Sequence, residues 1–157
     1  MRICLFVFLL ATGILSCKVQ STVMPTMHNY IIRLQPGDDL KETIQQYVVE
    51  KNLTAAWIAT CVGSLVSYNI RFANQSEGST DTGHFEIISL SGTLSANGSH
   101  LHISVSDSTG KVIGGHLLPG CKIYTTAEIV IQSSDQFHFT RETDSVTGFK
   151  ELKIGHR

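Results

Sequence analysis

Ser99–Leu118 reads SHLHISVSDSTGKVIGGHLL, and its strand register decides how the rest of the chain is arranged. Ser99–Ser106 alternates: Leu101, Ile103 and Val105 are apolar, whereas His100, His102, Ser104 and Ser106 are not. A period of two marks a half-buried strand. In the following run, Lys111–Leu118, Ile113 and Leu117 take odd positions and His116 an even one. Asp107-Ser108-Thr109-Gly110 between the two runs is a turn signal. A three-residue loop with Gly110 in the left-handed conformation is a common hairpin solution. It sets Asp107 opposite Lys111, Val105 opposite Ile113 and His102 opposite His116. The apolar residues then share one face and the three histidines the other. Directly opposed Cβ atoms lie about 4.5–5.5 Å apart, and His100 follows on the same face at roughly 6.5 Å.

Three neutral imidazoles at such spacing can hold a divalent metal and leave a coordination position open. Zinc is the expected ion, although imidazole ligation also suits copper, nickel and iron. The alternative is a solvated polar strand face. Gly114-Gly115 bears on the choice in two ways. The pair lets another backbone approach the histidines, or it marks a bulge that turns His116 away.

Outward from this hairpin, the chain reads as one domain. His28–Leu34 is a short strand ending at the turn Gln35-Pro36-Gly37. Asp38 is the expected N-cap, with Lys41 at the position where a glutamate would complete a capping box. Leu40, Ile44, Tyr47 and Val48 give the spacing of one amphipathic helix to about Asn52. Ala55–Phe72 is a long strand, bent near Gly63-Ser64. The polar loop Asn74–Gly83 leads to strand Phe85–Leu94. Lys122–Ile131 places Ile123, Thr125, Ala127, Ile129 and Ile131 on one face. Phe137–Arg141 and Phe149–Ile154 follow, joined by the turn Asp144–Gly148. One helix against many mostly antiparallel strands is an α+β fold with more sheet than the helix can cover. An uncovered face invites a second sheet layer or a partner subunit.

Residues 1–20 differ from the remainder. Arg2 precedes the apolar run Ile3–Leu15, too short to span a bilayer, and a polar segment follows. This is the pattern of a secretory signal peptide, and it implies a secreted or extracytoplasmic protein. Ile14-Leu15-Ser16-Cys17 also resembles a bacterial lipobox, with Cys17 as the lipidated residue. Translation from Met24 or Met27 would instead give a cytoplasmic form. Cys4 and Cys17 belong to the leader, so the domain holds Cys61 and Cys121, both in apolar strand segments and expected to be buried thiols. Of three sequons, Asn74-Gln75-Ser76 lies in a polar loop and is the glycosylation candidate.

The chain of 157 residues is 42% hydrophobic, with 12 basic and 13 acidic residues and a formal charge of −1, so it lacks the footprint of a nucleic-acid binder. Ser64, Ser104 and Ser106 have no Asp–His pairing beyond the same three histidines. Glu128, on the non-core face of the adjoining strand, is a candidate to orient a ligand or act as a base, against the alternative of a solvated glutamate. Arg33 faces away from Ile32 and Leu34, either pairing across a subunit boundary or covering apolar area. Trp57 is expected in the core or an interface.

The run HLHISVSDSTGKVIGGHLLPGCKIYTTAEIVI, with Leu34-x-Pro36-Gly37 before it and Arg141-Glu142…Thr147-Gly148-Phe149 after it, resembles the plant and prokaryote conserved (PPC) domain. The resemblance covers residues 27–154. It implies a PPC fold that assembles as a homotrimer. Plant PPC domains follow AT-hooks in DNA-binding proteins; this chain carries no Arg-Gly-Arg-Pro hook and is similar to the stand-alone prokaryotic type. There the positions of His100, His102 and His116 look like a metal site. Three functions follow. The first is a trimeric metal-binding domain for a small anionic or polar ligand, with catalysis left open; an open zinc position lowers the pKa of bound water to about 7. The second is a non-catalytic oligomerisation or protein-interaction module. The third, a DNA-associated regulator, is disfavoured by the charge, the leader and the missing hook.

Overall fold

A computed structural model describes residues 26–156. The leader, Cys4, Cys17 and Met24 lie outside the described residues. In chain order the elements are β1 (Met27–Leu34), α1 (Leu40–Glu50), β2 (Ala56–Arg71), β3 (Ser79–Ser95), β4 (Gly98–Ser106), β5 (Val112–Leu117), β6 (Lys122–Ser134), β7 (Phe137–Thr143) and β8 (Lys150–His156). The main sheet runs β1-β6-β2-β3-β4-β5, every pairing antiparallel, and β7 and β8 form a separate ribbon.

β2 organises the sheet. One of its edges carries β3; the other carries β6 and then, at Ile70 and Arg71, the end of β5. The strands β2, β3, β4 and β5 therefore close on themselves. This closure places Arg71 opposite His116, a pairing between strands distant in sequence. The bend expected at Gly63-Ser64 coincides with a register shift between Gly63 and Leu65 against β6.

Alternation builds the core. Leu101, Ile103 and Val105 of β4 are buried, as are Ile123, Ala127, Ile129 and Ile131 of β6. The helix adds Leu40, Ile44 and Val48, all fully buried, with Tyr47 of the same stripe partly buried against the core. Thr125 departs from the expected β6 face. It is exposed, lying between Ile123 and Ala127 where the pairing with β2 shifts register, and its hydroxyl bonds that of Ser64 at 2.8 Å.

The helix is capped by Asp39, not Asp38. The Asp38 carboxylate turns back to accept the Gln35 N–H at 2.8 Å, closing the Pro36-Gly37 turn. Asp39 Oδ1 accepts the N–H groups of Lys41 and Glu42, both at 3.1 Å. The same buried carboxylate accepts the Gly120 N–H at 2.6 Å and lies 3.6 Å from Lys122 Nζ. It joins the helix start to the loop between β5 and β6. The helix stops at Glu50, with Asn52 left-handed at φ 50°.

The loop expected at Asn74–Gly83 is shorter, because β3 begins at Ser79. Ser79–Thr82 pair with Ser67–Ile70 through their backbones, which asks nothing of side-chain polarity. Apolar alternation therefore marked only the buried half of the strand. No helix among the described residues is long and apolar enough to cross a membrane.

Candidate metal centre

The hairpin carrying the histidines folds in the expected register. Gly110 is left-handed at φ 82°, its N–H bonds the Asp107 carbonyl at 3.0 Å, and Asp107 N–H bonds the Lys111 carbonyl at 3.0 Å. Asp107 Oδ1 accepts from the Thr109 hydroxyl and N–H and from the Lys111 N–H, which pins the turn. Pairing runs without a shift from Val112 opposite Ser106 to His116 opposite His102. No bulge interrupts the ladder at Gly114-Gly115.

The glycines instead permit close approach on both sides of β5. A Cβ on Gly114 would lie 2.8 Å from Ser104 Oγ and 2.9 Å from the Ile103 carbonyl oxygen. One on Gly115 would lie 2.5 Å from the Arg71 carbonyl oxygen and 3.0 Å from Ile70 Cγ2. Only a strand without side chains at these positions fits between β4 and the end of β2. Gly92 plays the same part on β3, where a Cβ would collide with the His100 carbonyl.

With Leu101 and Ile103 buried, the three imidazoles project from the opposite face. Their ring centroids are 4.5 Å apart for His102 and His116, and 5.1 Å for His100 with each of the others. One ligating nitrogen from each ring can be chosen so that all lie within 4.8 Å of one another. His100 Nε2 and His116 Nδ1 point at each other at 3.2 Å. His100 and His116 are half-buried and His102 is exposed, so one side of the cluster is open. Burial is the main force holding the His100 imidazolium below its ordinary pKa of 6.5, with Arg141 and His102 adding to it and Glu151 opposing. His116 is lowered by burial and then by Arg71, His102 and His100. Neutral rings with free lone pairs are the form a metal requires, so the donor set fits a divalent ion.

Two cavities meet at the cluster. The larger, about 700 Å³, is lined by His100 and His116 together with Arg71, Arg141, Phe149 and Glu151. The smaller, about 290 Å³, is lined by His100, His102, Thr93, Arg141, Glu151 and Leu152. The β7–β8 ribbon thus crosses the histidine face and contributes a wall to both. It is anchored at its base, where Phe139 N–H bonds the Thr54 carbonyl at 2.7 Å.

Arg71, Arg141 and Glu151 were not expected at the site. Arg71 arrives through the β2–β5 closure, and the other two through a ribbon whose own pattern says nothing of what it covers. Glu128 lies elsewhere: β6 adjoins β1 and β2, and Glu128 sits opposite Arg33 and Val62, lining neither cavity. Arg33 Nε bonds Thr126 Oγ1 at 3.1 Å, and half-buried Trp57 bonds Gln132 Oε1 at 3.1 Å. Asn74, left-handed at φ 58°, is exposed on the rim of the larger cavity. Cys61 and Cys121 are free and buried, and burial pushes their thiols up to about 12 and about 11, so neither supplies a thiolate nucleophile.

Residues 21–135 match the model of the Plants and Prokaryotes Conserved (PCC) domain. The chain belongs to this family. It is the PPC domain of the sequence resemblance. The chain is similar to a hypothetical protein from Salmonella cholerae-suis, with 41% identity, a TM-score of 0.83, and coverage of 86% of this chain and 98% of that one. A metal-containing protein from Archaeoglobus fulgidus shares 25% identity at a TM-score of 0.70, covering 85% of this chain and 99% of that one. Among curated proteins, a bifunctional protein GlmU from Synechococcus sp. (strain JA-3-3Ab) is 44% identical over 125 residues, which are 80% of this chain and 20% of that protein. The chain therefore spans about a fifth of the length of the curated relatives it matches.

Proposed function

We propose that this PPC domain binds one divalent metal, zinc, on His100, His102 and His116 and presents it to a small polar ligand in the adjoining cavities. The observation that carries the reading is the convergence of three imidazole nitrogens within 4.8 Å of one another on one hairpin paired without a register shift. The description of the Archaeoglobus relative as metal-containing supports it. When bound, zinc supplies a Lewis-acid centre. The chain's own residues position it: the hairpin register fixes His102 against His116, the glycines draw β5 against β2, and the open side of His102 leaves access. Elemental analysis of wild type, His102→Ala and Lys111→Gln, purified without chelator, tests the reading. About one zinc per chain is expected in wild type and Lys111→Gln, and a large loss in His102→Ala. No stoichiometric metal in wild type, or full retention in His102→Ala, overturns it.

In the same reading the domain assembles as a homotrimer. The sheet face turned away from α1 exposes Ile31 (80%), Val62 (57%) and Ile88 (57%), and Val66 of β2 and Tyr124 of β6 are exposed as well. Apolar residues grouped on one sheet face mark an interaction surface. Light scattering should give three times the chain mass, and a monomer at micromolar concentration refutes the assembly. This face also gives the second reading, an oligomerising interaction module, its specific support. Residues 1–20 act here as an export signal, and N-terminal sequencing that found a start at Met24 or Met27 would contradict that assignment.

A further inference from the structure

Besides the imidazoles, the cavities contain charge that the metal reading does not use. Arg71, at the end of β2, and Arg141, on β7, line the larger cavity together with His100 and His116. Each spends part of its guanidinium on a backbone carbonyl: Arg71 Nη1 donates to Gln75 at 3.1 Å, and Arg141 Nη2 to Lys150. These bonds fix the two groups and leave further N–H donors for a ligand. Lys150 and Glu151 complete the charged lining of the larger cavity, so cations outnumber the carboxylate there. A planar guanidinium matches the paired oxygens of a carboxylate or phosphate, and two of them beside one opening select for negative charge.

We infer that the ligand of this site is a small molecule bearing an oxyanion group, carboxylate or phosphate, which Arg71 and Arg141 hold beside the three histidines. This rests on the metal reading for the role of the histidines, but the arginine contacts are separately testable. Phe149, whose ring is exposed in the same cavity, offers an apolar surface for the remainder of such a molecule.

The test is calorimetric titration of the purified full chain, zinc-loaded, with malonate, inorganic phosphate and the neutral analogue malonamide. At least one anion should bind and malonamide should not, with the preferred anion naming the group. Arg71→Gln and Arg141→Gln should each weaken that anion about ten-fold or more, the loss of a charge-assisted hydrogen-bond pair. Arg71→Lys and Arg141→Lys should recover part of the affinity, which a folding defect would not allow, and Lys111→Gln should bind as wild type. Anion binding unchanged in both arginine-to-glutamine variants, or no preference over malonamide, overturns the inference. Zinc content measured on the same samples separates the two claims. Full zinc without anion binding leaves the metal reading standing and removes this one. Arginine-dependent anion binding without zinc does the reverse.

Discussion

Gly115→Ala adds one methyl group where β5 passes the end of β2. Its Cβ would lie 2.5 Å from the Arg71 carbonyl oxygen and 3.0 Å from Ile70 Cγ2. Neither neighbour can yield by rotating a flexible tip, since one is backbone and the other a fully buried side chain. The strands must separate by about half an ångström or more, and the bridge Arg71–His116 is what opens. Overpacking of this kind costs about 1–3 kcal/mol. In a chain of 157 residues that lowers the melting temperature by about 2–12 °C. The displacement also moves His116 relative to His102, and metal affinity should fall at least about ten-fold, because ligand distances tolerate only about 0.2 Å. Thermal melts of metal-free protein and zinc titration of the same variant measure the two effects. Gly110→Ala is the contrast: its Cβ meets nothing within 4 Å, and only its φ of 82° is strained. That variant should lose about 1 kcal/mol with zinc affinity kept. If Gly115→Ala melts with wild type and binds zinc as well, close approach at Gly115 does not shape the site.

Asp39→Ala should cost more than an ordinary N-cap. The cap alone is worth about 1 kcal/mol, and an unpaired Gly120 N–H adds about 1–3, so a loss of about 2–4 kcal/mol in urea unfolding is expected; a loss below about 1 kcal/mol would show that the link to the β5–β6 loop is idle. For pH, His100 and His116 sit below 6.5 when folded, so the unfolded chain takes up their protons first. Metal-free protein should therefore lose stability as pH falls below about 6.5, until the lowered folded values are passed. His100→Asn/His116→Asn should flatten that slope, and an equal slope in the variant would refute the assignment.

Much of the site was legible because hairpin register is local. Gly110, the alternation of Leu101, Ile103 and Val105, and the even placement of His116 fix the facing of three histidines within one turn of chain. Asp39 was missed for a small reason: two adjacent aspartates can cap, and only the turn at Pro36-Gly37 shows that Asp38 is already engaged. Arg71, Arg141 and Glu151 were out of reach for a larger one. Their approach depends on β2 meeting β5 and on a ribbon lying across the sheet, and neither leaves a periodic trace in the chain. Glu128 shows the same limit from the other side, since its strand looked adjacent in sequence order but pairs with β1 and β2.

The metal centre is tested most directly by X-ray absorption at the zinc edge on zinc-loaded full chain. Three imidazole nitrogens at about 2.0–2.1 Å are expected in wild type, falling to two or fewer in His102→Ala. A wild-type spectrum of hydrated zinc without imidazole scattering, or one that His102→Ala leaves unchanged, contradicts the three-histidine centre.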